Sequence, residues 1–345
     1  MQDDYFTLMQ RLAPDLAQEI ERRALVLERI GALQPVGRRQ LAARLNLPER
    51  EIRTVATLLK EHGLVALDAA GMSLTPAASE ILPMARLFSR DLRGLTKLEM
   101  ALGRLFDVTK VCVVAGDADT DDHVLHEVGR NAAIRLRGFL QSGSTLAVTG
   151  GSTIHEVAFA VPQGTPMNVM VVPARGGIGR SLETQANTVA CEIARRLGGH
   201  HRMMHLPDHL DEQALLEMRK LKEIDETLAL LERADVVLHG IGRADDMAQK
   251  RQLPAAVEAE VLRKGAVAEA YGCYFDRRGR LVYSASTVAH DLGALKPECA
   301  LIAVAAGAKK ADAIASVMKN RKHAMLVTDE GAAKAILAQS AAEAP

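Results

Sequence analysis

The chain has 345 residues, 48% hydrophobic and 25% charged, with 43 Lys and Arg balanced by 43 Asp and Glu. That length exceeds the usual single-domain range, so two domains are expected, with enough chain for a sizeable core. Zero formal net charge excludes any case for nucleic acid or membrane built on overall electrostatics, so such a face has to be a local patch.

Four cysteines (Cys112, Cys191, Cys273 and Cys299) lie far apart without a CxxC pair. They read as reduced, buried thiols rather than a metal site. Asp3 and Asp4 stand at the N-terminus with no basic stretch before an apolar core, and runs such as 300–306 are too short to span a bilayer, so a cytoplasmic protein is expected.

Residues 12–30 carry helical spacing, with Leu16, Ile20, Leu25, Leu27 and Ile30 apolar. Residues 38–45 and 49–59 read as two further helices around the turn Asn46-Leu47-Pro48, the second stopped by His62-Gly63. Two short helices on a tight turn have helix-turn-helix spacing. Within 35–62 six basic side chains face three acidic ones, a local excess of three. With Ile52, Val55, Leu58 and Leu59 turned inward, Arg50, Arg53, Thr54 and Thr57 are left for a DNA groove, and Arg38 and Arg39 stand in the preceding helix. Residues 64–75 alternate around a turn at 68–71, as a short wing does. The same winged helix-turn-helix could serve protein contacts alone. Residues 91–107 form a linker helix after a first domain of residues 1–90; interrupted by Gly94, this amphipathic stretch could pair with a second copy or dock on the next domain.

From residue 108 onward strands and helices alternate. Strands are expected at 111–114, 145–148, 168–172, 236–239, 300–305 and 324–327, and helices at 121–139 and 153–160. The pattern predicts an α/β domain over 108–345, a doubly wound, mostly parallel Rossmann-like sheet covered on both faces. Ligands bind such sheets beyond the carboxyl ends of the strands. There, Thr149, Gly150, Gly151, Ser152 and Thr153 make a strand-to-helix loop whose amides and hydroxyls suit a phosphate. Thr153-x-x-Glu156 reads equally as a capping box that satisfies only its own helix. Three more strand ends empty into glycine with cations: Arg175 within 173–180, then 240–245 followed by Lys250 and Arg251, and 306–310 with Lys310. Guanidinium and ammonium groups gathered at one edge suit a molecule with two phosphates.

Other features carry less. His200, His201, His205 and His209 include four-residue spacings, but Gly198-Gly199 and Pro207 make residues 202–206 a strand, so no metal site is expected. His155 reads as a satisfied surface residue, and Asp245-Asp246 is one carboxylate pair without further ligands. Glu269 is either a buried acceptor for sugar hydroxyls or a solvated loop residue. No GxSxG, Walker loop or HExxH occurs, and no catalytic residue is assigned.

The segments Thr149-Gly-Gly-Ser-Thr153, Pro173-Ala-Arg-Gly-Gly-Ile-Gly179, Gln185-Ala-Asn-Thr188, His239-Gly-Ile-Gly242, Ala268-Glu-Ala-Tyr-Gly272 and Val327-Thr-Asp-Glu-Gly-Ala-Ala333 resemble the sorbitol-operon regulator (SorC-type) family of sugar-sensing bacterial transcription factors. Gly37-Arg-Arg39 and Gly71-Met-Ser-Leu-Thr75 extend the likeness to nearly the whole chain. The resemblance implies a repressor of a glycolytic operon, relieved by fructose-1,6-bisphosphate or a related sugar phosphate. It implies an effector domain similar in fold to sugar-phosphate isomerases and coenzyme A transferases, without their chemistry. Ligand contacts then fall on Ser152, Thr153, Arg175, Gln185, Arg251, Glu269 and Lys310. The pattern it matches has a second threonine at Ser152 and a serine pair at Ala308-Lys309. Operator DNA and a homo-oligomer, dimer or tetramer, are the expected partners, with no cofactor. The competing reading is a sugar-phosphate isomerase or deaminase bearing a DNA-binding domain, with Glu269, Asp245 and Lys310 as its only candidate catalytic groups.

Overall fold

The computed structural model describes residues 8–9, 11–45, 47–175, 182–206, 212–284, 295–320 and 322–343, and its contacts divide the chain into two compact units, Met1–Lys97 and Leu98–Pro345. In the first unit α1 (Pro14–Leu33) opens on a proline, whose missing N–H is no loss at a helix start, and buries Val26, Leu27 and Ile30. It packs on α2 (Arg38–Leu45) and α3 (Glu49–Glu61) through a core that includes Leu41, Ile52 and Val55. Along α3, Ala56 rather than Leu58 completes the inward stripe with Leu59, and Leu58 is only half-buried.

The strands β1 (Val65–Leu67) and β2 (Met72–Leu74) pair antiparallel. Their turn is held by the Asp68 carboxylate, which accepts from the N–H groups of Ala70 and Gly71. Gly71 has φ +137°, and a Cβ there would lie 2.8 Å from the Val36 carbonyl carbon, so the turn requires glycine. The next helix, α4 (Pro76–Leu92), is capped by Thr75, whose hydroxyl accepts from Ala78 N–H at 3.2 Å. Gly94, at φ +71°, breaks it from α5 (Leu95–Phe106). Three helices and a two-stranded wing make this unit a winged helix-turn-helix.

The second unit is α/β. In chain order it contains β3 (Lys110–Val114), α6 (Asp122–Leu136), β4 (Thr145–Val148), α7 (Ser152–Ala160), β5 (Met170–Pro173), α8 (Ala186–Leu197), β6 (His200–His201), α9 (Glu212–Met218) and α10 (Lys222–Glu232). There follow β7 (Val236–Gly240), β8 (Gly242–Arg243), α11 (Ala244–Lys250), α12 (Ala255–Arg263), β9 (Ala266–Ala270), β10 (Cys273–Asp276), β11 (Leu281–Ser284), β12 (Ala300–Val304), α13 (Ala311–Asn320), β13 (Met325–Asp329) and α14 (Glu330–Glu343). Seven strands form one sheet in the order β3-β13-β12-β7-β4-β5-β6, and every described pair in it is parallel. Strands buried on both faces need unbroken apolar runs, and Leu146, Ala147, Val148 and Ile302, Ala303, Val304 supply them, fully buried.

Three expectations are corrected. The strand placed at 202–206 is instead His200–His201: beyond it the Asn187 amide takes over the backbone of Met204, accepting from its N–H at 2.8 Å and donating to its carbonyl at 3.1 Å. That clamp ends the ladder after Arg202 N–H meets Val171 O. The second correction is a four-stranded antiparallel sheet, β11-β10-β9-β8, which the chain-order reading does not anticipate. Its central turn, Tyr271-Gly272, has positive φ at both residues (53° and 88°), as a two-residue hairpin of the mirror-image type needs. Third, Cys191 is exposed on α8, although Cys112 and Cys273 are buried and all four cysteines are free.

Candidate functional site

The register of the parallel sheet aligns four consecutive strand ends. Val148 of β4 stands beside Pro173 of β5 and Leu238 of β7, and Val304 of β12 stands beside Gly240. The loops after β5, β4, β7 and β12 therefore leave one edge side by side, the edge where open α/β sheets hold ligands.

After β4, Thr149 turns inward, 5% exposed, and its hydroxyl accepts from Gly240 N–H at 3.2 Å. A Cβ on Gly150 would lie 2.4 Å from the Thr184 carbonyl oxygen, and Gly151 donates to that same oxygen at 2.8 Å from φ +108°. Glycine is required at 150 by this close approach and at 151 by its backbone conformation. The first intrahelical bond of α7 runs from His155 N–H to Gly151 O, so the amides of Ser152, Thr153 and Ile154 have no acceptor within the helix. Ser152 is exposed and Thr153 buried. The capping box is not formed: Gly151 has no side-chain cap, and Glu156 pairs with His126. His155 bonds Glu183 O at 3.0 Å and stacks on Phe159, which makes it a satisfied surface residue. Gln185 stands half-buried at the start of α8, where its neighbours Thr184 and Ala186 pack on Gly150.

The second group is a buried charge cluster. A single oxygen of Glu269, Oε1, accepts from Arg251 Nη2 at 2.9 Å, Gly272 N–H at 2.7 Å and Arg175 Nη1 at 3.4 Å. Glu269 and Arg175 are 3% and 5% exposed, so Glu269 is a buried acceptor in β9 and not a solvated loop residue. Burial pushes its carboxyl above the usual carboxylate range, against the pull of Arg175 and the Gly272 amide. Two guanidiniums on one carboxylate leave an excess of one positive charge.

The third strand end, 240–243, contributes less cation than expected because Arg243 is engaged by Asp245. The fourth gives up its amides to carboxylates. Gly307 N–H donates to Asp329, Ala308 N–H to Asp117 and Lys309 N–H to Asp119. What this loop brings is Lys310, half-buried in the turn Ala308–Lys310. Burial and then the nearby Lys250 ammonium lower its pKa, opposed by Asp119, Asp329 and Asp246. Lys250 directly precedes Arg251, so the end of α11 links Lys310 to the Glu269 cluster. Lys250, noted in the sequence with Arg251 but not counted among the ligand contacts, is the neighbour the structure adds to Lys310. Residues 176–180, the rest of the second glycine-rich loop with Arg180, and His209 lie outside the described residues. Among the described residues no group of three or more His, Cys, Asp or Glu could hold a metal ion.

On the first unit Arg38, Arg39, Arg50, Arg53, Thr54 and Thr57 are all exposed. Glu49 lies 3.3 Å from Arg39 and 3.8 Å from Arg53, and the Thr54 hydroxyl donates back to Arg50 O.

A family model described as “Putative sugar-binding domain” matches residues 90–338, and one for the CggR N-terminal DNA binding domain matches residues 20–87. The central glycolytic genes regulator of Priestia megaterium is 37% identical over 332 residues, 96% of this chain and 97% of that protein. The Bacillus subtilis protein of the same name is 35% identical over 95% of this chain and 96% of its own length. A solved transcriptional regulator assigned to the SorC family, from Enterococcus faecalis, superposes with a TM-score of 0.65 at 35% identity, covering 70% of this chain and 99% of its own. The chain belongs to the SorC family of transcriptional regulators. As a SorC-family regulator it joins a DNA-binding first unit to a sugar-binding second unit, and the strand-end groups described above lie in the latter. Among the described residues no helix of this SorC-family chain is long and apolar enough to cross a membrane.

Proposed function

We propose that the chain represses glycolytic genes and releases its operator when a phosphorylated sugar binds, with fructose-1,6-bisphosphate the expected effector. The observation that carries this reading is the alignment of the α7 start, the Arg175–Glu269–Arg251 cluster and Lys310 along four consecutive strand ends. One phosphate fits the amides and hydroxyls of Ser152 and Thr153 behind Thr149, Gly150 and Gly151. The other fits Arg251 and Lys310, with Arg175 completing the positive field, while Glu269 and Gln185 meet sugar hydroxyls. A bisphosphate matches this division better than a monophosphate because the two anion-binding ends, one of amides and hydroxyls and one of cations, stand on different loops.

Binding rather than turnover is supported by the state of two of the three candidate catalytic groups. Glu269 is engaged by two arginines and an amide, and Asp245 by Arg243. For the effector to release DNA it must prefer one arrangement of the protein over another, since equal affinity for both shifts nothing. Operator contacts fall to Arg38, Arg39, Arg50, Arg53, Thr54 and Thr57, and paired wings on repeated half-sites call for a homo-oligomer, dimer or tetramer. The test is a gel shift on the upstream operator fragment titrated with fructose-1,6-bisphosphate, fructose-6-phosphate and fructose-1-phosphate. Release by the bisphosphate at lower concentration than by either monophosphate is expected, and identical release by all three contradicts the two-phosphate assignment.

A further inference from the structure

Three buried side chains of the second unit converge on one point. His239 at the end of β7 is 0% exposed, His323 before β13 is 2% and Tyr271 in the β9–β10 turn is 4%. Tyr271 Oη lies 3.0 Å from His239 Nε2 and 3.2 Å from His323 Nε2, and the two imidazole nitrogens are 3.1 Å apart. These atoms form a nearly equilateral triangle. Tyr271 reaches it from a positive φ of 53°, a backbone conformation unfavourable for a bulky side chain.

The protons available do not fill the triangle. The carbonyl of Gly240 can only accept, so His239 Nδ1, 3.2 Å away, carries the proton and the Nε2 lone pair faces the triangle. The remaining edges can share at most two protons, one on Tyr271 and one on His323. A chain from His323 through Tyr271 to His239 satisfies every group with two hydrogen bonds, and such a chain leaves its ends free to stand apart. Here they stand 3.1 Å from one another. Donors about 2.0–2.1 Å from a tetrahedral metal are separated by roughly 3.3–3.4 Å, close to all three edges. A ring nitrogen facing inward while its partner N–H holds a carbonyl is also the arrangement that orients metal-bound histidines.

We propose that His239, Tyr271 and His323 form a binding site for one divalent transition-metal ion of the zinc class. Two imidazoles and a phenol oxygen suit zinc, cobalt, nickel or copper better than magnesium or calcium, which take oxygen cages. On binding, the metal forms two bonds to Nε2 atoms and one to Oη; Tyr271 releases its proton to solvent, and His323 carries its single proton on Nδ1. The fourth tetrahedral position is left for a small exogenous ligand. Bound metal ties together the ends of β7 and β9 and the start of β13. The site uses none of the residues assigned to the sugar phosphate.

The test uses the full chain, stripped by a chelator and then titrated with zinc chloride or cobalt chloride alone. Expected are one tightly held equivalent per chain after dialysis, a cobalt visible spectrum of tetrahedral type and a raised thermal midpoint. His239→Gln and His323→Gln should abolish uptake, while the paired change His200→Gln and His201→Gln should leave it unaltered. Tyr271→Phe removes only the phenol oxygen, and at least a tenfold loss of affinity is expected from it, which decides the matter if the histidine variants fail to fold. No uptake by the full chain, or uptake undiminished by these substitutions, overturns the proposal.

Discussion

Arg175 and Arg251 reach the same Glu269 oxygen, at 3.4 and 2.9 Å. Truncating Arg175 therefore leaves the buried carboxylate with two of its donors, and the fold should survive a loss of about 1–3 kcal/mol. Operator binding by Arg175→Ala and by Lys310→Ala should match the unaltered chain, while the response to fructose-1,6-bisphosphate disappears; a gel shift with and without the sugar checks both, and undiminished release in both variants contradicts the site. A separate residue reports on acid stability. Burial pushes the Asp235 carboxyl up, but the Lys296 ammonium and the Thr145 amide overcome it and hold it below the usual carboxylate range. A carboxyl lowered on folding stabilises above its unfolded pKa, and that contribution fades as pH falls through the folded one. Denaturant unfolding followed from pH 6 down to pH 3 should thus decline less steeply for Asp235→Asn than for the unaltered chain. The residues at this scale were unevenly legible. Glycine beside hydroxyl, or glycine beside cation, marks a strand-end loop in the sequence, but nothing in Glu269 or Tyr271 alone says that each is buried against side chains from distant segments. Such pairings depend on which strands become neighbours, as with Asp329, Asp117 and Asp119, which take the amides of Gly307, Ala308 and Lys309.

At the scale of elements, the parallel strands were readable because burial on both faces demands apolar runs, and β4 and β12 have them. The antiparallel sheet was not, since β8 has only two residues and the β9–β10 turn is Tyr-Gly rather than the more familiar Asn-Gly. Residues 202–206 depart from the strand expected there because the Asn187 clamp is a tertiary interaction that leaves no local trace. The start of α7 yields its own prediction. Gly150→Ala places a methyl group against the Thr184 carbonyl at 2.4 Å, so one of the two segments has to move. The sugar-phosphate thermal shift should fall at least severalfold in this variant while operator binding persists, and calorimetry with and without the effector checks it. On α3, Arg50→Ala and Arg53→Ala test the basic face. Removing an arginine that reads a base edge should cost about 1–3 kcal/mol and relax specificity at one position, whereas removing one that grips a phosphate should weaken binding to all sequences and reduce the salt slope by about 1. Binding isotherms at several salt concentrations separate the two, and unchanged affinity in both variants would place the DNA face elsewhere.

For the whole molecule, the two units divide the work of sensing and of holding DNA, and the separate family matches to residues 20–87 and 90–338 follow the same division. In the sequence the change from helical hairpin spacing to alternating strand and helix falls near residue 108, whereas the contacts divide the chain earlier, between Lys97 and Leu98. Sedimentation of the purified full chain should show a homo-oligomer whose mass or shape changes on adding fructose-1,6-bisphosphate; a monomer indifferent to the sugar would contradict the proposed route from effector to operator. One structural detail bears on how copies can associate. An open sheet margin invites a further strand from another chain, and long, flat, apolar margins are where such growth begins. At β6 the ladder is two residues long and exposed, and the Asn187 amide fastens the chain just beyond it. That flank offers too little backbone to template fibrous stacking, so the protein can leave it uncovered without risking runaway polymerisation.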